Sequence, residues 1–174
     1  MSTKIELRIK RHDWRGARRL LRSALRRAPG DHWLLTRLSL THYEQRNYRR
    51  ALAYSRRAYT LAPWCPLVLW DHAGDLDMLG RKREAIAIYR RLVKRGERAI
   101  AAGRCGEGLA WARGVVADSW YRLARCYTDL GRRKLATEAY RQHVRMRGPG
   151  CRSIYPLVDV RRQLRRLQQR SRVA

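Results

Sequence analysis

Three carboxylates fall within seven residues, at Asp71, Asp75 and Asp77, the densest set of groups able to do acid–base or metal chemistry. Either chemistry needs oxygens that converge on one point. On a helix Asp71 and Asp75 stand one turn apart while Asp77 lies round the side, so the three diverge. His72 falls on the packing face and reads as a core histidine. Cys65, Cys105, Cys126 and Cys151 are widely spaced, with no CxxC pair and no His at ligand spacing, so no zinc site is expected. Cys105 sits beside Arg104 and just before a helix start, both of which lower a thiol pKa. One neighbouring cation is too little to make it reactive, and it reads as an incidental cysteine. A Gly-rich phosphate loop, an HExxH motif and a Ser–His or Cys–His arrangement are all missing. The expectation is a protein that is not an enzyme and holds neither metal nor cofactor.

Charge points to partners instead. The 174 residues carry a formal net charge of +27, and 36 of the 41 basic residues are Arg. Such a balance favours acidic partners such as nucleic acid, an anionic membrane surface or an acidic protein. A hydrophobic content of 45%, with nine Tyr and six Trp, excludes disorder as the main state. No apolar run approaches the ~20 residues that span a bilayer. The first residues, MSTKIELRIKRHDW, resemble no signal h-region, so a cytoplasmic location with reduced thiols is expected.

The elements that carry these residues repeat. Ala17 returns as Ala51 and Ala85, Pro29 as Pro63, and Arg22 as Arg56 and Arg90, each at 34-residue intervals. A fixed period in this range marks a stacked repeat array. A short helix is expected over Ile5 to Arg11. A second, N-capped by Asp13, carries Ala17, Leu20, Leu21, Ala24 and Leu25 at helical spacing. His32 to Arg46 reads as a helix on Leu35, Leu38, Ser39 and Tyr43, and the next carries Tyr48, Ala51, Leu52, Ala58 and Leu61. From Pro66 one helix uses Leu69, His72, Ala73 and Leu76, and after Gly80 another uses Ala85, Ile86, Tyr89, Leu92 and Val93. A last complete unit runs from near Ala117 to Gly-Pro-Gly at 148–150. The tail from Ser153 to about Arg170 reads as a capping helix with Ile154, Leu157, Leu164 and Leu167 turned inward.

Trp120, Leu123, Ala124, Tyr127, Gly131, Ala136 and Tyr140 in the last unit, with Tyr48, Ala51, Ala58 and Pro63 earlier, resemble the tetratricopeptide repeat. Leu35 and Leu69 stand where that repeat most often has Trp, Arg46 replaces its turn Gly, and His42 and Leu76 replace an aromatic. The resemblance covers about Asp13 to Gly148. It implies an all-α, right-handed α-solenoid of stacked helix–turn–helix units with a C-terminal capping helix. One domain over 1–174 is expected, with units at about 1–31, 32–65, 66–99 and 117–150 and a capping helix and basic tail over 151–174. The spacing from Ala85 to Ala136 is 51 residues, one period plus 17. The extra segment, 100–116, continues the apolar spacing of its neighbours. It is expected to extend two adjacent helices, to about Ala102 and from near Glu107, by about 12 Å each, with Gly103, Gly106 and Gly108 in the turn.

Phase then sorts two surfaces. In the resembling family a second stripe on the first helices lines a concave groove. Here it reads Trp33, Thr36, Leu40 and Tyr43; then Leu67, Trp70, Gly74 and Asp77; then Asp118, Tyr121, Arg125 and Thr128. Either these aromatics form a binding patch or neighbouring helices or the cap cover them. The first helices also hold six acids, Glu44, Asp71, Asp75, Asp77, Asp118 and Asp129, against three bases. The clamp of Lys, Arg and Asn with which the family's chaperone-binding members hold a terminal carboxylate is missing. A neutral or basic peptide is therefore expected, met by Trp33, Thr36, Tyr43, Trp70, Asp71, Asp77, Asp118, Tyr121 and Arg125, with Trp70 open to cation–π contact. The second helices align Arg22, Arg56, Arg90 and Arg141, and one turn later Arg26, Lys94 and Arg145. They form a basic face suited to phosphates but carrying no base-reading motif. Arg161, Arg162, Arg165, Arg166 and Arg170 add to it. The expected function is a protein–protein interaction scaffold; the alternative is a nucleic-acid-associated protein using the basic face.

Overall fold

A computed structural model describes residues 2–169, and these form nine α-helices and no strand. Where the sequence predicts one domain over 1–174, the helices divide into two compact units, Met1–Arg81 and Lys82–Ala174. Arg170 lies outside the described residues.

The first unit contains α1 (Ser2–Lys10), α2 (Trp14–Arg27), α3 (His32–Tyr43), α4 (Tyr48–Leu61) and α5 (Pro66–Met78). Their starts are written in side chains. Asp13 accepts the Gly16 N–H at 2.9 Å, Asp31 accepts those of Trp33 and Leu34, and Asn47 accepts that of Arg50. Each satisfies donors that a helix N-terminus leaves open, and loss of such a cap costs about 1 kcal/mol. Ile5, Leu21, Ala24, Leu34 and Leu38 join α1, α2 and α3 in one apolar cluster. The repeated small residues Ala17, Ala51 and Ala58 are fully buried, which lets neighbouring helices approach closely. Consecutive helices pack on one another, and α3 also packs on α5.

The second unit contains α6 (Lys82–Ala101), α7 (Leu109–Asp129), α8 (Arg133–Met146) and α9 (Leu157–Gln169). Residues 100–116 lengthen α6 and α7 at their adjoining ends. Gly96 breaks α6 with φ +73°, a conformation that side-chain-bearing residues rarely adopt. Across the break, Arg113 of α7 grips Glu97 with two parallel hydrogen bonds, Nε to Oε2 at 2.8 Å and Nη2 to Oε1 at 3.1 Å. That pairing holds Glu97 below the usual carboxylate range. Tyr89, Leu92, Leu123 and Tyr140 are fully or almost fully buried among α6, α7 and α8.

The capping helix departs from expectation. It begins at Leu157, not Ser153, because Pro156 disfavours helical backbone in the residue before it. Ile154, expected inward, is 69% exposed, while Val160 and Leu167 are the buried residues of α9.

Candidate functional site

The stripe on α7 is occupied by the chain itself. Between α8 and α9 the backbone runs back along α7. Arg113 Nη1 donates to the Pro149 carbonyl at 3.3 Å, and the Arg152 backbone lies against Gly114. A Cβ at Gly114 would stand 2.4 Å from the Arg152 carbonyl oxygen, so only glycine admits the segment this closely. One turn on, Asp118 accepts the Ile154 N–H at 3.0 Å through Oδ2 and the Ser153 hydroxyl through Oδ1. A further turn on, Tyr155 stacks on Tyr121 with ring centroids 3.8 Å apart and planes 15° from parallel. The Arg122 guanidinium lies 5.6 Å from the Tyr155 ring centre, and Arg147 donates to the Tyr155 carbonyl at 2.6 Å.

Burial raises the Asp118 pKa, and the Ser153 and Ile154 hydrogen bonds work against that rise. Arg125 remains exposed and hydrogen-bonds to Tyr121. Beneath the stripe, fully buried His143 has Nδ1 2.7 Å from the Ala117 carbonyl, so Nδ1 carries the proton. Of the two alternatives for the aromatic stripe, the covered one holds at Tyr121.

In the first unit the predicted groove residues separate. Thr36 is 1% exposed and its hydroxyl is turned back onto the His32 carbonyl at 2.7 Å, so it faces no groove. Asp77 is 4% exposed and is likewise no open contact. Trp33 packs against the Ile5–Leu38 cluster, with the Arg37 guanidinium 5.5 Å from its ring; Arg37 in turn pairs with Glu6 of α1 at 2.7 Å. Tyr43 meets Tyr48 edge to face at 5.3 Å. Trp70 and Asp71 are half-buried on α5.

The carboxylate that sequence reasoning undervalued is Asp75. It is 1% exposed, and its Oδ2 lies 2.8 Å from Ser39 Oγ, which is itself 2.9 Å from the Ala51 carbonyl. The Ser39 hydroxyl donates to the ionised Asp75 carboxylate; once Asp75 is protonated it can donate to Ser39, which frees that hydroxyl proton for the Ala51 carbonyl. Burial accordingly pushes the Asp75 pKa up to about 6, against the hydrogen bonds of Ser55 and Ser39. Ser55 Oγ is 3.1 Å from His72 Nδ1, and His72 stacks on Tyr59. The three clustered aspartates thus form no common site. Asp75 ties α3, α4 and α5 together, and His72 is the core histidine expected.

Arg22, Arg26 and Arg56 in the first unit, and Arg90, Lys94, Arg141 and Arg145 in the second, are all exposed. Arg145 approaches Glu138 at 3.5 Å. No helix among the described residues is long and apolar enough to cross a membrane.

Antiparallel helix pairs with small buried residues at a 34-residue period define an all-α repeat fold. The tetratricopeptide-repeat family model matches residues 117–147, the α7–α8 unit. A crystal structure of MamA is similar over 82% of this chain and 68% of its own, with 20% identity and a TM-score of 0.62. The MamA fragment from residue 41 to the end, from Desulfovibrio magneticus RS-1, is similar over 84% of this chain and 73% of its own, with 16% identity and a TM-score of 0.64. These likenesses establish the fold. A sequence comparison with curated proteins finds no match.

Proposed function

We propose that the chain is a protein–protein interaction scaffold whose first-helix stripes take an extended segment of a partner. The observation that carries this reading is the chain's own segment 149–155 lying along α7. Backbone approach at Gly114, a carboxylate at Asp118 that accepts a backbone N–H, and an aromatic platform at Tyr121 together make a peptide-holding surface. Repeat arrays use such surfaces to bind extended segments. By the repeat alignment Trp70 stands on α5 where Tyr121 stands on α7, so it is the matching platform in the first unit. Asp71 beside it, and the acidic balance of these helices, favour a neutral or basic partner.

The test uses a synthetic peptide with the sequence of residues 149–157 and the full chain carrying Tyr155→Ala, which weakens the internal occupant. Fluorescence anisotropy should show the peptide binding this variant and not the wild type, with binding lost on adding Asp118→Asn. Absence of binding to the Tyr155→Ala chain would sink the reading.

A further inference from the structure

On the first unit, α2 and the α3–α4 turn enclose a concavity of about 360 Å³ in which Arg15, Arg18, Arg19, Arg22 and Arg50 meet around His42. Gln45 and Asn47 complete the lining, and no carboxylate contributes to it. Five guanidinium groups in one small hollow repel one another unless an anion joins them. Arg18 stands among these charges. Its Nη1 is tied to the Thr41 carbonyl at 3.2 Å and to Gln45, and its pKa is lowered by burial and by the charges of Arg22, Arg15 and Arg50.

His42 supplies an independent sign. It lines the hollow, is only 4% exposed, stacks on Tyr54 at 5.5 Å, and its Nε2 is buried without a hydrogen-bond partner. An unpartnered buried polar atom is destabilising, and a ligand oxygen that pairs with it removes that cost. Burial, then the neighbouring arginines, push the His42 pKa down to about 4, so near pH 7 the ring is neutral, and with its proton on Nε2 it can donate to a ligand oxygen.

We propose that this hollow is a binding site for a compact, multiply charged phosphate group. Guanidinium forks match phosphate oxygens two at a time, which a single ammonium does not. Arg15, Arg18, Arg19 and Arg22 share one face of α2 over about 10 Å, and His42 of α3 and Arg50 of α4 close the depression, a length that fits a short polyphosphate. Of the basic face anticipated along the second helices, only Arg22 belongs to the hollow. Arg18, Arg19 and Arg50 have no arginine 34 residues away, while Arg15 recurs as Arg49 and Arg83.

The test is calorimetric titration of the full chain with inorganic tripolyphosphate, with a short oligoadenylate as the second arm. The expected result is about one equivalent of tripolyphosphate per chain. Arg22→Gln with Arg50→Gln, both at exposed positions, should weaken binding by about tenfold or more, the weight of one or two charge-assisted hydrogen bonds. Arg141→Gln with Arg145→Gln removes the same charge elsewhere and should weaken it less than about twofold. The single exposed change Arg22→Glu should reproduce the loss while circular dichroism stays unchanged. Equal weakening by both pairs, or several equivalents bound, would overturn the proposal in favour of diffuse charge. So would an oligoadenylate bound more tightly than tripolyphosphate with both pairs contributing, which would favour a nucleic-acid surface.

Discussion

Tyr155 lies flat on Tyr121 at 3.8 Å, and two residues before it Ser153 closes on Asp118. The linker between α8 and α9 is thereby a ligand of the repeat that precedes it. Such a contact is intramolecular, so a partner segment must outcompete a high effective concentration to displace it.

Removing the upper ring of that stack should loosen the linker without melting the helices. Tyr155→Ala is expected to lower stability by about 1–2 kcal/mol through lost aromatic contact and to raise the exchange rate of the Ile154 amide. Hydrogen exchange by mass spectrometry checks this; an Ile154 amide as protected as in the wild type would contradict the docking geometry.

Gly114→Ala separates helix propensity from docking. Alanine favours a helix interior by about 1 kcal/mol over glycine, yet its Cβ would stand 2.4 Å from the Arg152 carbonyl oxygen. Helical circular dichroism should hold or rise while proteolytic cleavage within 149–155 accelerates. Unchanged cleavage would show that the segment tolerates the methyl group.

Asp75 gives the first unit a pH dependence of unusual sign. Its folded pKa, about 6, stands above the ordinary 3.8, so the folded chain holds the proton more tightly. Its contribution is fully present below about 3.8 and is lost as pH rises through about 6. Asp75→Asn keeps a donor to Ser39 without a charge. Urea unfolding should therefore show the variant gaining about 2–3 kcal/mol on the wild type between pH 4 and pH 8. A pH-independent difference would mean that folding leaves the Asp75 pKa unshifted.

His42 acts in the opposite direction. Its folded pKa, about 4, lies below the ordinary 6.5, so the unfolded chain takes up a proton that the folded chain refuses. Its stability contribution is complete above 6.5 and is lost as pH falls toward 4. Replacing it by Gln should flatten that limb by about 2 kcal/mol in the same unfolding series. The combined His42→Gln, Asp75→Asn chain should lose both of these contributions, leaving only the smaller limbs that Asp118 and His143 carry; a chain whose limbs match the wild type would contradict both assignments.

What the sequence determined by itself is the set of local and periodic features. Alanines at 34-residue intervals, the cap at Asp13, and apolar spacing carried through 100–116 specify helices, their ends and the repeat. Each follows from interactions within a few residues or from the need of one helix to pack on the next. The groove residues were legible only as a phase. Phase puts Thr36, Asp77, Asp118 and Tyr121 on one stripe, but it carries no information on what lies over that stripe.

Only the tertiary structure decided the rest. It turned Thr36 onto its own helix, buried Asp77, drew Asp75 into a proton-holding contact with Ser39, and laid residues 149–155 across α7. It also gathered Arg15, Arg18, Arg19, Arg22 and Arg50, from separate helices, around His42. Several of these outcomes depend on residues 34 to 36 positions apart, as in Ser39 with Asp75, Asp118 with Ile154 and Tyr121 with Tyr155. Whether a polar group is hydrated, paired or orphaned is set by such neighbours, and the free energy of burying it follows them rather than its place in the repeat.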